Sequence, residues 1–330
     1  MSRILFLATH LPSFKPPLAQ TAGLLSDLST RHQVSLVYFA LAQENHQPEK
    51  AYTNLSQLFE RVASLKKSWS GQAAKAKLNQ ELEQFRPEII VAETSAMARL
   101  LQVPPGVQLL ILQAAKSKAQ ELAIAFEPGL DADYFRRRSQ IKLISKQVLC
   151  SIQLASKQEA AIGQAAINLL IGEVWPIVRQ RHPEASLKIK VSGEIPKNLV
   201  AEEKLEAGYH LGFGTISPLE YEAGRLALAP YLKLTPVNPQ AWLEAWAMQL
   251  PLITLPAAAF SLDKLGSRLG EHFLKGEDGP SLAALISRLL EIRGPGLHLA
   301  ENGRKLIDTR FSWQARAAQL EVLATAGPKQ

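Results

Sequence analysis

Ile4-Leu5-Phe6-Leu7-Ala8, then Ala22 to Leu28, then Val34-Ser35-Leu36-Val37-Tyr38-Phe39 is the stretch that decides the fold. The first run is wholly apolar and short, which suits a strand buried on both faces of a parallel sheet. The second places Leu24, Leu25 and Leu28 on one helical face. The third is rich in β-branched and aromatic residues. Strand, helix, strand at this spacing is a βαβ unit, and such units require parallel strands.

The alternation continues outward. Gln47 to Glu83 reads as polar helix, Pro87 to Ala92 as a strand and Val107 to Leu112 as another. A polar stretch from Ala114 to Lys146, with Pro128-Gly129 and Arg136-Arg137-Arg138, marks the change of domain. The pattern then restarts. Lys146–Ile152, Ser186–Val191, Tyr209–Phe213, Arg225–Ala229 and Leu252–Leu255 read as strands, while Gln158–Arg181, Ser281–Glu291 and Leu297–Ala324 read as helices. Two βα-repeating halves predict an α/β protein of two Rossmann-like, doubly wound domains facing a cleft. The expected boundaries are 1–130 and 148–312, joined by a linker at 131–147 and followed by a C-terminal helix and tail at 313–330. Ligands of such sheets bind beyond the carboxyl ends of the strands.

Size agrees with this division, because the 330 residues exceed what one core usually supports, roughly 250–300. A hydrophobic fraction of 47% and a charged fraction of 20% exclude a disordered chain. The net charge of +7 permits anionic partners but is too mild for a nucleic-acid-binding face. Cys150 is the only cysteine, so an internal disulfide is impossible and a reducing compartment is expected. No run approaches the ~18 apolar residues of a spanning helix. A cytoplasmic protein is expected, in contact with a membrane at most peripherally, at its inner face. Lys66-Lys67 and Arg136-Arg137-Arg138 read as solvated charge, or as the basic residues of such a contact.

Standard catalytic signatures are missing from the sequence: no P-loop, no Gly-x-Ser-x-Gly, no His-Glu-x-x-His and no complete Gly-x-Gly-x-x-Gly. The seven histidines show no ligand spacing on one helix face, so no metal is expected.

Several segments, in order along the chain, resemble the retaining family-four glycosyltransferases of the GT-B fold. They are Arg3-Ile4-Leu5-Phe6-Leu7 with Arg31-His32-Gln33-Val34, Arg86-Pro87-Glu88-Ile89-Ile90, Pro128-Gly129-Leu130-Asp131-Ala132-Asp133-Tyr134-Phe135, Glu173-Val174-Trp175-Pro176, Leu211-Gly212-Phe213, Leu243-Glu244-Ala245-Trp246-Ala247-Met248 and Phe311-Ser312-Trp313. The resemblance implies transfer of a sugar, with retention and without a metal or cofactor, from a nucleotide-sugar donor to a glycan or lipid-linked acceptor. It also implies a C-terminal helix that crosses back to the first domain. The first domain would serve the acceptor and the second the nucleotide.

Residue by residue, the resemblance puts Glu244 against the ribose diol, Lys157 and then Lys233 against the diphosphate, and the base beside Phe213, with Leu243 starting the helix that carries Glu244. His10 and Lys15, on the loop after the first strand, and Glu93, after the Ile89–Ala92 strand, fall on the acceptor side. Each has a plainer alternative: Glu244 as a helix-terminal carboxylate, the lysines as solvated charge, His10 as a satisfied loop residue. The sequence also departs from the family. Pro236 stands where its first paired glutamate belongs, and Pro16-Pro17 replace its phosphate-facing glycines, with no N–H to offer. These departures suggest the alternative of a catalytically degenerate GT-B protein that binds a ligand or partner.

Overall fold

The computed structural model describes residues 1–8, 19–40, 59, 61–66, 71–113, 129–138, 146–154, 157–193, 202–204, 206–231 and 239–325. The chain forms two compact units, one of Met1–Asp131 with Phe311–Gln330 and one of Ala132–Arg310.

In the first unit, β1 (Arg3–Ala8), β2 (Gln33–Ala40), β3 (Arg61–Lys66), β4 (Ile89–Thr94) and β5 (Gln108–Gln113) form a parallel sheet of order β3-β2-β1-β4-β5. Successive side chains of a strand point to opposite faces. Ile4 and Phe6 therefore join Leu24, Leu25 and Leu28 of α1 (Ala19–Ser29) on one face. Leu5 and Leu7 join Leu78, Leu82 and Phe85 of α2 (Gly71–Phe85) on the other, near the single turn of α3 (Ser95–Ala98). Both faces being covered explains why β1 is apolar throughout.

The polar segment read as helix from Gln47 to Glu83 is corrected by the structure in its second half: Arg61–Lys66 is β3 and Gly71–Phe85 is α2, while 47–58 lies outside the described residues. An edge strand is paired on one side only, so it tolerates the exposed Ser64 and the Arg61 that pairs with Glu81 at 3.3 Å. That polarity hides it from a hydropathy pattern.

The second unit has a seven-stranded sheet of order β12-β11-β10-β6-β7-β9-β8. Its strands are β6 (Gln147–Leu154), β7 (Ser186–Gly193), β8 (Glu202–Lys204), β9 (Tyr209–Phe213), β10 (Gly224–Ala229), β11 (Leu252–Thr254) and β12 (Phe273–Lys275). All pairings are parallel except that of β8, at one edge. β8 (Glu202-Glu203-Lys204) and β12 (Phe273-Leu274-Lys275) escaped the sequence pattern because three residues that include charges form no apolar run, whereas the equally short β11 lies in Leu252-Ile253-Thr254-Leu255.

Helices α4 (Lys157–Leu169) and α5 (Trp175–Arg181) are joined by a π turn at Leu170–Val174. Pro176, lacking an N–H, cannot complete the regular ladder there. Contrary to the sequence expectation, Glu159–Arg181 is by length and composition alone long enough to span a membrane. It buries Ile167, Leu170, Val174, Trp175 and Val178 in the unit, as a core helix does. The unit also contains α6 (Pro218–Ala223), α7 (Gln240–Ala247), α8 (Pro256–Lys264), α9 (Gly279–Glu291) and α10 (Arg293–Leu306).

The last helix, α11 (Trp313–Thr325), returns to the first unit. Leu130 and Ser312 form a parallel bridge, with the Leu130 N–H donating to the Phe311 carbonyl at 2.9 Å. Glu321 receives Arg31 at 2.9 Å and His32 at 3.0 Å. The indole of Trp313 lies directly on Gly23 of α1, where a Cβ would collide with it, so glycine is required for this close approach.

Arg137 corrects the reading of Arg136-Arg137-Arg138 as a wholly solvated run. Its guanidinium donates to the carbonyls of Glu222 at 3.0 Å, Gly224 at 3.3 Å and Met248 at 3.4 Å. Burial lowers its pKa, against the opposing effect of Glu222. The cation thus serves the ends of α6 and α7, where carbonyls carry partial negative charge. Arg136 remains exposed beside Asp133 at 3.8 Å.

Candidate functional site

Both sheets reverse their winding beside their first strand, between β1 and β4 in one unit and between β6 and β10 in the other. A doubly wound sheet opens a crevice at the carboxyl ends of such a strand pair. Each of these switch points carries a carboxylate.

In the second unit, β10 leads towards α7, which begins at Gln240 with Pro239 as its N-cap and no side-chain cap. The helix therefore starts earlier than Leu243, and Glu244, one turn in, caps nothing. Long helical side chains lean back towards the N-terminus, so the Glu244 carboxylate meets Gln240, whose Nε2 donates to Oε1 at 3.1 Å. The Tyr221 hydroxyl lies 3.2 Å from Oε2 and 3.3 Å from the Ala241 carbonyl. Glu244 is only 8% exposed. Burial is the main force on its carboxyl and pushes it from 4.5 up to about 7, while the bonds from Gln240 and Tyr221 pull the other way. Burial and the neighbouring Glu244 charge likewise raise the Tyr221 hydroxyl.

Tyr221 is held by α6, and α6 is held by Glu220. The Ser217 N–H donates to Glu220 Oε2 at 2.8 Å and the Glu220 N–H to Ser217 Oγ at 3.4 Å, a reciprocal capping box. Lys188 and Lys190, on one face of β7, lie 2.7 and 3.6 Å from Glu220 Oε1. Burial opposes the Glu220 carboxylate, but Lys188 and the Ser217 N–H outweigh it and hold its pKa at about 2. Beneath Tyr221, a cavity of about 10 Å³ between Leu149, Ser151, Ile216, Ala241 and Trp242 has room for about one water, far too little for a nucleotide.

The other sequence-predicted residues are spread differently. Phe213 ends β9 and is 40% exposed. Leu243 is fully buried and its N–H donates to the Pro239 carbonyl at 3.0 Å, so its side chain belongs to the core. Lys157 begins α4, just past β6. His10, Lys15 and Lys233 lie outside the described residues, as do Pro16, Pro17 and Pro236. Among the described residues no cluster of His, Cys, Asp and Glu gathers to hold a metal.

In the first unit, Glu93 stands at the end of β4, and Thr21 of α1 donates to its Oε1 at 2.9 Å. Both side chains are half-buried. Thr21, Gln240 and Tyr221 were not singled out from the sequence. The Ser217-x-x-Glu220 box and the four-residue spacing of Gln240 and Glu244 were legible; their convergence on one carboxylate was not.

No protein-family model matches the chain, and no curated protein matches it. Solved structures do. A glycosyltransferase from Rickettsia africae ESF-5 superposes with a TM-score of 0.65 at 12% identity, over 100% of this chain and 99% of that one. HepE of Anabaena in complex with UDP gives 0.61 at 16% identity, over 98% and 100%. The lipopolysaccharide outer core galactosyltransferase WaaB, in its apo form, gives 0.56 at 10% identity, over 98% and 99%. The fold is GT-B. At these identities the likeness establishes the architecture of this GT-B protein.

Proposed function

We propose that the protein is a glycosyltransferase that takes a sugar from a nucleotide-diphosphate donor. The observation that carries this is Glu244, a carboxylate at the β6/β10 switch point of a GT-B fold that runs the length of the chain. HepE is similar over the whole chain and binds UDP.

In this reading the ionised Glu244 accepts the ribose hydroxyls, since a carboxylate offers lone pairs to both donors of a vicinal diol. The leaving nucleoside diphosphate gains negative charge as the glycosidic bond breaks, which positive groups must stabilise. The N-terminus of α4 with Lys157, and Lys233, would supply them. Glu93 and Thr21 would face the acceptor, a glycan or lipid-linked sugar, with His10 and Lys15. Retention, independence from metals and a cytoplasmic site at the inner membrane face belong to the same proposal.

One observation favours a second reading, a GT-B module that has lost turnover: both Glu244 oxygens are engaged and its carboxyl titrates near neutrality. Isothermal titration with UDP and GDP, followed by an assay for nucleotide release from UDP-sugars, separates the two. Binding with turnover supports the enzyme, and binding without turnover the module. No binding at millimolar concentration ends the donor reading.

A further inference from the structure

Glu244 is held by two donors of different kinds. Tyr221 is 1% exposed, its ring locked in the core. Gln240 is half-buried on the first turn of α7, at the end of the sheet where a ligand arrives. Its amide N–H makes the same kind of bond to Oε1 that a ligand hydroxyl would make. We propose that Gln240 is a gate on the donor site: its amide holds the place on Glu244 that the ligand's vicinal diol takes, and binding requires its displacement. The inference rests on the donor reading above and adds to it a residue that sets affinity and selects for the diol.

The physical consequence is specific. Exchanging one charge-assisted hydrogen bond for another gains little, so the gate cancels part of what the diol would otherwise contribute. A ligand lacking one hydroxyl gains still less by displacing the amide. Gln240 therefore lowers the affinity of diol-bearing nucleotides and leaves that of deoxy analogues nearly unchanged. Alanine is the best helix former, so substituting it for Gln240 keeps α7 helical, at the cost of one donor to Glu244.

The test is calorimetric titration of the full chain with UDP and with 2′-deoxy-UDP at pH 9, where Glu244 is ionised. Gln240→Ala and the shorter Gln240→Asn should each bind UDP roughly three- to ten-fold more tightly than wild type, with 2′-deoxy-UDP changed by less than about two-fold. Weaker UDP binding by both variants would make Gln240 a direct ligand contact and overturn the gate. An equal gain for both nucleotides would assign the effect to the helix rather than the diol, and would also overturn it. Failure of wild type to bind UDP or GDP at all is seen before any substitution; it removes the donor reading and the gate with it.

Discussion

Glu93 and Glu244 each belong to the element at or after the strand where a doubly wound sheet reverses, Glu93 on β4 itself and Glu244 on the helix that follows β10, and their surroundings differ. Glu93 is half-buried and receives Thr21. Glu244 is buried between Tyr221 and Gln240, and its carboxyl is pushed up to about 7. One topology has delivered a carboxylate twice, and the side chains from neighbouring helices decide what each can do. In the first unit the partner comes from α1, the helix that leads out of the switch point. In the second it comes from α6, anchored by Glu220 to the lysines of β7.

The largest expected consequence lies in stability against pH. The unfolded chain releases the Glu244 proton near 4.5, while the folded protein keeps it to about 7. Between these values the folded state holds more protons, so stability falls as pH rises, by about 2–3 kcal/mol if Glu244 acts alone. Urea midpoints from pH 5 to 8 should show this decline in wild type, its loss in Glu244→Gln, and the variant more stable at pH 8; the buried His272, whose pKa is lowered, leaves a slight rise with pH in the variant. An unchanged slope in Glu244→Gln would show that burial does not set the two carboxylates apart.

Next in size is nucleotide affinity. Glu244→Gln should weaken UDP by about ten-fold or more, equivalent to at least 1.4 kcal/mol, whereas Glu93→Gln should leave it within about two-fold. Titrating both variants with UDP tests the division of labour, and equal losses would break it. Wild-type affinity should also rise with pH through about 7 as Glu244 ionises.

A smaller effect probes the partner rather than the carboxylate. Tyr221→Phe removes the hydroxyl beside Oε2 and should cost about 1–2 kcal/mol in denaturation at pH 8. It should also move the pH decline upward, because one donor to the carboxylate is gone. A stability loss without that movement would reduce Tyr221 to packing.

The smallest effect is expected in the first unit. Thr21→Val deletes the hydroxyl next to Glu93 at a half-buried site, so the loss should stay below about 1 kcal/mol. A loss as large as that of Tyr221→Phe would make the two switch points equivalent after all.

Much of the architecture was legible because β1, β2, β4, β6 and β10 are buried on both faces and must be apolar in series. Gly23, β3 and Arg137 were not legible. The glycine is explained only by the Trp313 indole lying against it, from the far end of the chain. The strand is polar because it is an edge. The arginine finds its carbonyls on two helices distant in sequence. Glu244 was named through a resemblance, but as a residue opening its helix; the structure starts that helix at Gln240 instead.

By itself, then, the sequence determined the βα alternation, the two-fold repetition of a doubly wound sheet and the residue that carries the carboxylate. Periodic burial and backbone geometry act over a few residues and leave their mark in local order. The environment of Glu244 was decided only by tertiary structure. Tyr221 lies before β10 and Gln240 after it, and the desolvation that moves the carboxyl to about 7 exists only once the sheet has brought α6 and α7 together.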